Sequence, residues 1–404
     1  MNRARRRTTI GDRLAESGGV GHGFDFLRIF LATGIVAYHV LPIAMPEVDE
    51  RSIPLLWMIK YTLLTSFFAL SGFLITGSAL RLSLRNFLIN RGLRIVPALS
   101  VEVVLCALVL GPLVTVIPLS EYFSSREFWV YLSNSIGIVH FYLPGVFVEN
   151  PMRIVNINLW TVPHEIGCYV IISGFIIFGT LRRPGLVLAA GAATVAAGLF
   201  LVGYDAATGG TLNQGFIGEK VYRLMHSQVS RLYVGFLLGI AVFLYRDRIP
   251  YSPILALASA AFIVVGGLFE PETTIYPLMN LVYGPAVVYL TAYLGVSRIW
   301  LPKLFKQGDY SYGIYLYGFP IQQLVVHVAP GLGYVENLAI SLVAIGVFAA
   351  FSWHFVEKPI LAQRRRFSFV ARVRLDDEAA ETAPPVAAPE ALEERKAQRP
   401  VPPV

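Results

Sequence analysis

Stretches of roughly 20 apolar residues recur along this chain, the length a helix needs to cross a hydrocarbon core about 30 Å thick. They fall at about 24–44, 55–79, 97–117, 157–180, 184–204, 228–246, 252–270, 274–296, 310–329 and 334–357. Lipid offers no water to a stray backbone N–H or C=O, so such segments must be helices packed side by side. Composition agrees. Only 15% of the 404 residues are charged, against about 25% in soluble domains. The expected fold is an all-α polytopic integral membrane protein of about ten transmembrane helices.

The basic residues set an orientation. With the N-terminus inside, the cytoplasmic loops carry Arg81, Arg85, Arg91 and Arg94, then Arg182 and Arg183, then Arg246 and Arg248, then Arg298, Lys303 and Lys306, with Lys358 and Arg364–Arg366 after the last span. The opposite loops carry Glu47, Asp49, Glu50, Glu149, Glu270 and Glu272. Ten crossings with both termini cytoplasmic satisfy the positive-inside rule. The ambiguous stretch 128–148 holds Ser133, Asn134, Ser135, His140 and Pro144. An eleventh crossing there would invert every later loop, so it reads as interfacial or re-entrant. The net charge of +7 sits in these short runs, which excludes a nucleic-acid partner. Cys106 and Cys168 both fall in apolar stretches and read as buried free thiols.

Three parts follow. Residues 1–23 read as a basic cytoplasmic tail before a retained first helix, 24–360 as the membrane domain, and 361–404, rich in Pro, Ala and Glu, as a disordered cytoplasmic tail. No internal repeat is visible.

The chemistry lies in ionisable residues inside the spans. "RIFLATGIVAYHV" opens with Arg28 and reaches His39 eleven residues later. That is about three helical turns, so both lie on nearly one face, roughly 16 Å apart along the axis. An intramembrane charge usually faces a bundle interior or a wet cavity; the plainer reading is snorkelling to the two headgroup layers. "SFFALSGFLITGSAL" places Ser71 and Gly72 where two helices can pack closely. In "RNFLINRGLRIVPA", Arg91 and Arg94 share a face of a short interfacial helix and read either as topology signals or as a paired phosphate clamp. "NLWTVPHEIGCYV" carries His164 and Glu165. His39 and Glu165 are each about two turns from the outer surface, so a His39–Glu165 contact is expected, the carboxylate orienting the ring and raising its basicity.

These segments resemble the acyltransferase 3 family, membrane O-acyltransferases of bacterial surface polysaccharides. "FDFLRIFLATGIVAYH", "FFALSGFLIT", "NRGLRIVPA", "LWTVPHEIGCY", "YSYGIYLYGFPI" and "VEKPI" resemble the family's motifs in order, over about residues 24–360. Two departures stand out: Gly318 occupies a position where the family often has histidine, and Ile166 follows Glu165 where it often has a second acid. The resemblance implies an inner-membrane enzyme with no bound cofactor, an acyl-CoA co-substrate (commonly acetyl-CoA) and a hydroxyl acceptor on a sugar or glycolipid. On geometry, Arg91 and Arg94 at the cytoplasmic side are expected to hold the donor's phosphates, and Arg28 just above them its pyrophosphate or pantetheine arm. His39, with Glu165 and Arg28, is placed at the chemistry as general base or transient acyl carrier. Ser71, His164 and Tyr315 are candidate cavity-lining residues, and no metal site is expected. The alternatives are a transporter or flippase of a lipid-linked glycan, and a non-catalytic partner in glycan assembly. "ALSGF" lacks the G-x-S-x-G of a serine hydrolase, and no P-loop or H-E-x-x-H occurs.

Overall fold

A computed structural model describes residues 8–48, 53–209, 229–269, 276–302, 305 and 307–363. Among these residues the chain is helical, with a single isolated bridge between Thr9 and Pro250 and no strand. In chain order the main helices are α1 (Ile10–Glu16), α2 (Phe24–Ala44), α3 (Pro54–Ala79), α4 (Leu84–Val114), α5 (Leu119–Ser124), α6 (Arg126–Tyr131), α7 (Ile157–Ile177), α8 (Pro184–Ala207), α9 (Val229–Leu244), α10 (Pro253–Gly266), α11 (Tyr276–Val282), α12 (Gly284–Val296), α13 (Ser311–Val328) and α14 (Tyr334–Ala362).

Six of them, α2, α3, α4, α7, α8 and α14, are long and apolar enough to cross a membrane. This is a polytopic membrane protein. The expected figure of about ten is reached only in part: α9, α10 and α12 are apolar but shorter, and the stretch expected as one span at 274–296 is broken at Tyr283 into α11 and α12. α13 has 18 residues but carries buried Gln322 and Gln323. Of the tail expected to be disordered at 361–404, the first two residues belong to α14, which reaches Ala362, and 364–404 lie outside the described residues.

Two expectations are corrected. Arg91 and Arg94 do not sit on a separate interfacial helix. A proline usually ends a helix one residue earlier, but α4 runs through Pro97 and continues by a π-turn at Cys106–Leu110 to Val114. In a membrane, neighbouring groups can satisfy what a proline frees. The basic N-terminal stretch is also not simply a tail. α1 is capped by a reciprocal Thr9–Asp12 box, buries Ile10 completely, and hydrogen-bonds the loop after α9 through Ile10 N to Ile249 O and Gly11 N to Arg246 O. The stretch 128–148 forms no spanning helix: α6 and a 3-10 turn end at Gly137, whose φ of 83° is left-handed. There the Asn134 side chain binds both the N–H and the C=O of His140.

Small residues let the helices close on one another. A Cβ at Gly72 would overlap the Phe236 carbonyl oxygen, and one at Gly239 the Ala69 carbonyl oxygen, so α3 and α9 meet backbone to backbone. α2 meets α13 where Gln322 Nε2 donates to Val36 O at 2.8 Å. Pro320 deprives Leu316 of its helical N–H partner. Asn156 supplies one instead, its Nδ2 donating to Leu316 O at 2.9 Å and to buried Glu102 at 2.8 Å. Asn158 Nδ2 likewise donates to Tyr315 O at 2.7 Å. Asn156 and Asn158, at the start of α7, thereby fasten it to α13 beside Pro320, and this fastening places Tyr315.

Candidate active site

Arg91 and Arg94, three residues apart on α4, share one helical face. Together with Arg28 of α2 they line a cavity of about 330 Å³, whose walls include Ser71, Glu165, Cys168, Tyr169, Tyr312 and Tyr315. Asp309, just before α13, bridges two of the cations: its Oδ2 lies 2.6 Å from Arg94 and 3.3 Å from Arg28. Burial alone would push this carboxyl's pKa up. The Arg94 and Arg28 guanidiniums, with the Ser311 hydroxyl, outweigh burial and hold it well below the usual carboxylate range. Arg28 also pairs with Asp25 at 3.0 Å. Arg91 differs, since its Nε is buried without a hydrogen-bond partner. An orphan donor of this kind is rare in folded proteins.

His39 lines a second cavity, of about 460 Å³, with Tyr38, Lys60, Phe141, Met152, Asn158, Trp160, Tyr315 and Phe319. The Phe319 ring meets the imidazole edge to face at 5.4 Å. The ring's Nδ1 is buried and unpartnered. The Lys60 ammonium stands 5.3 Å over the Tyr38 ring.

His39 and Glu165 do not meet. Glu165 lines the arginine cavity and accepts from the Tyr169 hydroxyl. A shared depth on two helices says nothing about which way each face turns, and α7 turns Glu165 toward α4. The expectation that Glu165 orients the imidazole is therefore not what the structure holds. His164 lines neither cavity; its Nδ1 lies 3.2 Å from the Tyr233 hydroxyl. Ser71 lies on the arginine cavity, and Tyr315 on both. Asp309, Tyr169 and Lys60 escaped the reading of the sequence. Each had a signal: Asp309 precedes "YSYGIYL", Tyr169 sits one turn after Glu165, and Lys60 is a lone cation in a span.

A family model described as an acyltransferase domain matches residues 22–356, which include every residue of both cavities. The chain belongs to the acyltransferase 3 family. As such it is an acyltransferase of groups other than aminoacyl groups. Nodulation protein 10 of Rhizobium leguminosarum bv. viciae is 29% identical over 388 residues, 90% of this chain and 99% of that protein. An O-acetyl transferase of Shigella phage Sf6 is 27% identical over 309 residues, 74% of this chain and 84% of that protein. No solved structure matches.

Both departures from the acyltransferase 3 pattern have a local setting. A Cβ at Gly318 would stand 2.9 Å from Val36 Cγ2, so a larger residue there would require the Val36 side chain to shift. Ile166 is 40% exposed and lines neither cavity.

Proposed function

We propose that this chain is a bacterial inner-membrane O-acyltransferase. It takes an acyl group, acetyl by analogy with the phage relative, from acyl-CoA at the cytoplasmic face and places it on a hydroxyl of a cell-surface glycan or lipid-linked sugar. The observation that carries this reading is a pair of abutting cavities, one walled by three guanidiniums and the other by His39. The lining itself holds three arginines and one carboxylate, Glu165, while Asp309 and Asp25 pair with Arg94 and Arg28 beside it. Phosphates on CoA match guanidinium geometry, and Arg91 Nε offers an unused donor. Arg28 lies toward the pantetheine arm and Arg94 is held in place by Asp309.

His39 serves as general base. As the acceptor oxygen attacks the thioester carbonyl carbon, the imidazole takes the hydroxyl proton; the C–S bond breaks, and the sulfur leaves with the electron pair and receives that proton. The aromatic walls of this cavity, Tyr38, Phe141 and Trp160, offer apolar faces to sugar C–H groups while Lys60 and His39 supply polarity. Glu165 acts in the donor cavity through Tyr169, not on the imidazole.

The test uses purified protein in nanodiscs with acetyl-CoA and a de-O-acetylated surface glycan, reading release of the CoA thiol. Release by the unsubstituted protein and none by an equally well folded His39→Ala variant is expected. Equal release by both would overturn the assignment of His39.

A further inference from the structure

The two cavities share two lining residues, Tyr315 and Leu64. They abut at the tyrosine ring. The Tyr315 hydroxyl lies 2.6 Å from Thr161 Oγ1 and donates to the Asn158 carbonyl at 3.1 Å. Thr161 belongs to the wall of the arginine cavity and Asn158 to the wall of the His39 cavity, so the bonds that hold the ring straddle the boundary. The backbone beneath is fastened separately, through Asn158 Nδ2 on Tyr315 O. Phe67 meets the ring at 6.1 Å from the arginine side. The hydroxyl is thus held by two exchangeable contacts, with the ring packed against Phe67, on a main chain fastened through Asn158.

We propose that Tyr315 is a hydrogen-bonded gate between the donor and acceptor chambers. Closed, it keeps a thioester held by the arginines away from His39 and from water on that side. Open, with the Thr161 and Asn158 contacts released, it passes the acyl-bearing arm, and the space vacated by the ring limits how long an acyl chain can follow. The inference rests on the acyl-CoA reading above for what passes, but the gate itself is testable without any turnover.

The experiment places a reporter, Met152→Cys, in the His39 cavity, in a background with Cys106→Ser and Cys168→Ser. Membrane vesicles exposing the arginine end are treated with the anionic thiol reagent sulfonatoethyl methanethiosulfonate. Labelling should be slow with Tyr315 in place. Tyr315→Phe keeps the ring and loses both hydroxyl contacts, which shifts the closed state by about tenfold, so labelling should quicken by that order. Tyr315→Ala should label at least as fast, and in transfer assays it should raise use of butyryl-CoA relative to acetyl-CoA. Equal labelling rates in all three proteins, whether fast or slow, would overturn the gate. Failure of the acyltransferase reading would show separately, as no CoA release from any acyl-CoA by the unsubstituted protein.

Discussion

Removing the Asp309 carboxylate should cost stability chiefly through Arg94. Asp309→Asn keeps the size and the hydrogen-bonding capacity of the side chain and deletes its charge. That charge lies 2.6 Å from Arg94 and 3.3 Å from Arg28. At an effective dielectric of about 20, opposite charges about 3 Å apart attract by roughly 5 kcal/mol before desolvation is counted. Breaking a buried pair by removing one partner typically costs about 3–5 kcal/mol, because the other charge is stranded. Arg28 retains Asp25; Arg94 has no second acid at comparable distance among the described residues. This pair is only part-buried, Arg94 28% and Asp309 16% exposed, so a smaller loss of about 2 kcal/mol is expected, and the Arg94–Asp309 coupling should be about 1–2 kcal/mol in a cycle of Asp309→Asn, Arg94→Gln and the double variant. Unfolding of the detergent-solubilised proteins measures it. Two single losses that add to within about 0.5 kcal/mol of the double would refute the bridge. The sign with pH also follows. The folded carboxyl's pKa lies below the ordinary value, so the unfolded state binds the proton first as pH falls. The stability Asp309 contributes is complete above the unfolded value, about 3.9, and is lost as pH falls toward the folded one. The gap between wild type and Asp309→Asn should stay flat from pH 8 to 5 and shrink only below about 4.

Other substitutions separate binding from folding. Arg91→Gln should weaken acyl-CoA binding by roughly tenfold; calorimetry reads it, and a thermal melt reads separately what the fold loses as the Arg91 charge leaves Glu165 and Tyr169. Gly239→Val should destabilise the fold by about 1–3 kcal/mol or more, because its Cβ would overlap Ala69 O; an unchanged melt would contradict the close α3–α9 contact. Asn156→Leu should cost about 1–3 kcal/mol by orphaning Leu316 O, and Pro320→Ala, which restores a helical N–H opposite that carbonyl, should recover part of the loss in a denaturation cycle.

Much of the site was readable in the sequence because charge in an apolar span is expensive and therefore conspicuous. Arg28 stands out for that reason, Arg91 and Arg94 by their three-residue spacing in a basic connection, and the structure gathers all three into one cavity. Their counter-ion did not stand out. Asp309 sits in a polar connection where a carboxylate costs little, and it is 281 and 215 positions from its two partners; no local pattern links them. Depth along each helix could be counted at 1.5 Å per residue, but the direction of a face could not. Hence His39 and Glu165 were matched by depth and proved to line different cavities. The helices themselves were legible from hydropathy. The fate of their prolines was not: Pro97 lies within α4 and Pro320 within α13, both helices run on, and at Pro320 the freed carbonyl is filled by Asn156.

The most direct test of the two-chamber mechanism is sided transfer. Labelled acetyl-CoA is supplied only at the arginine end of sealed vesicles, with a glycan acceptor only at the His39 end, and label bound to glycan is counted for wild type, Arg91→Gln and His39→Ala. Label should appear on the glycan with wild type, fall with Arg91→Gln at sub-saturating donor, and vanish with His39→Ala. Label reaching the glycan only when acetyl-CoA is supplied at the His39 end would contradict the mechanism.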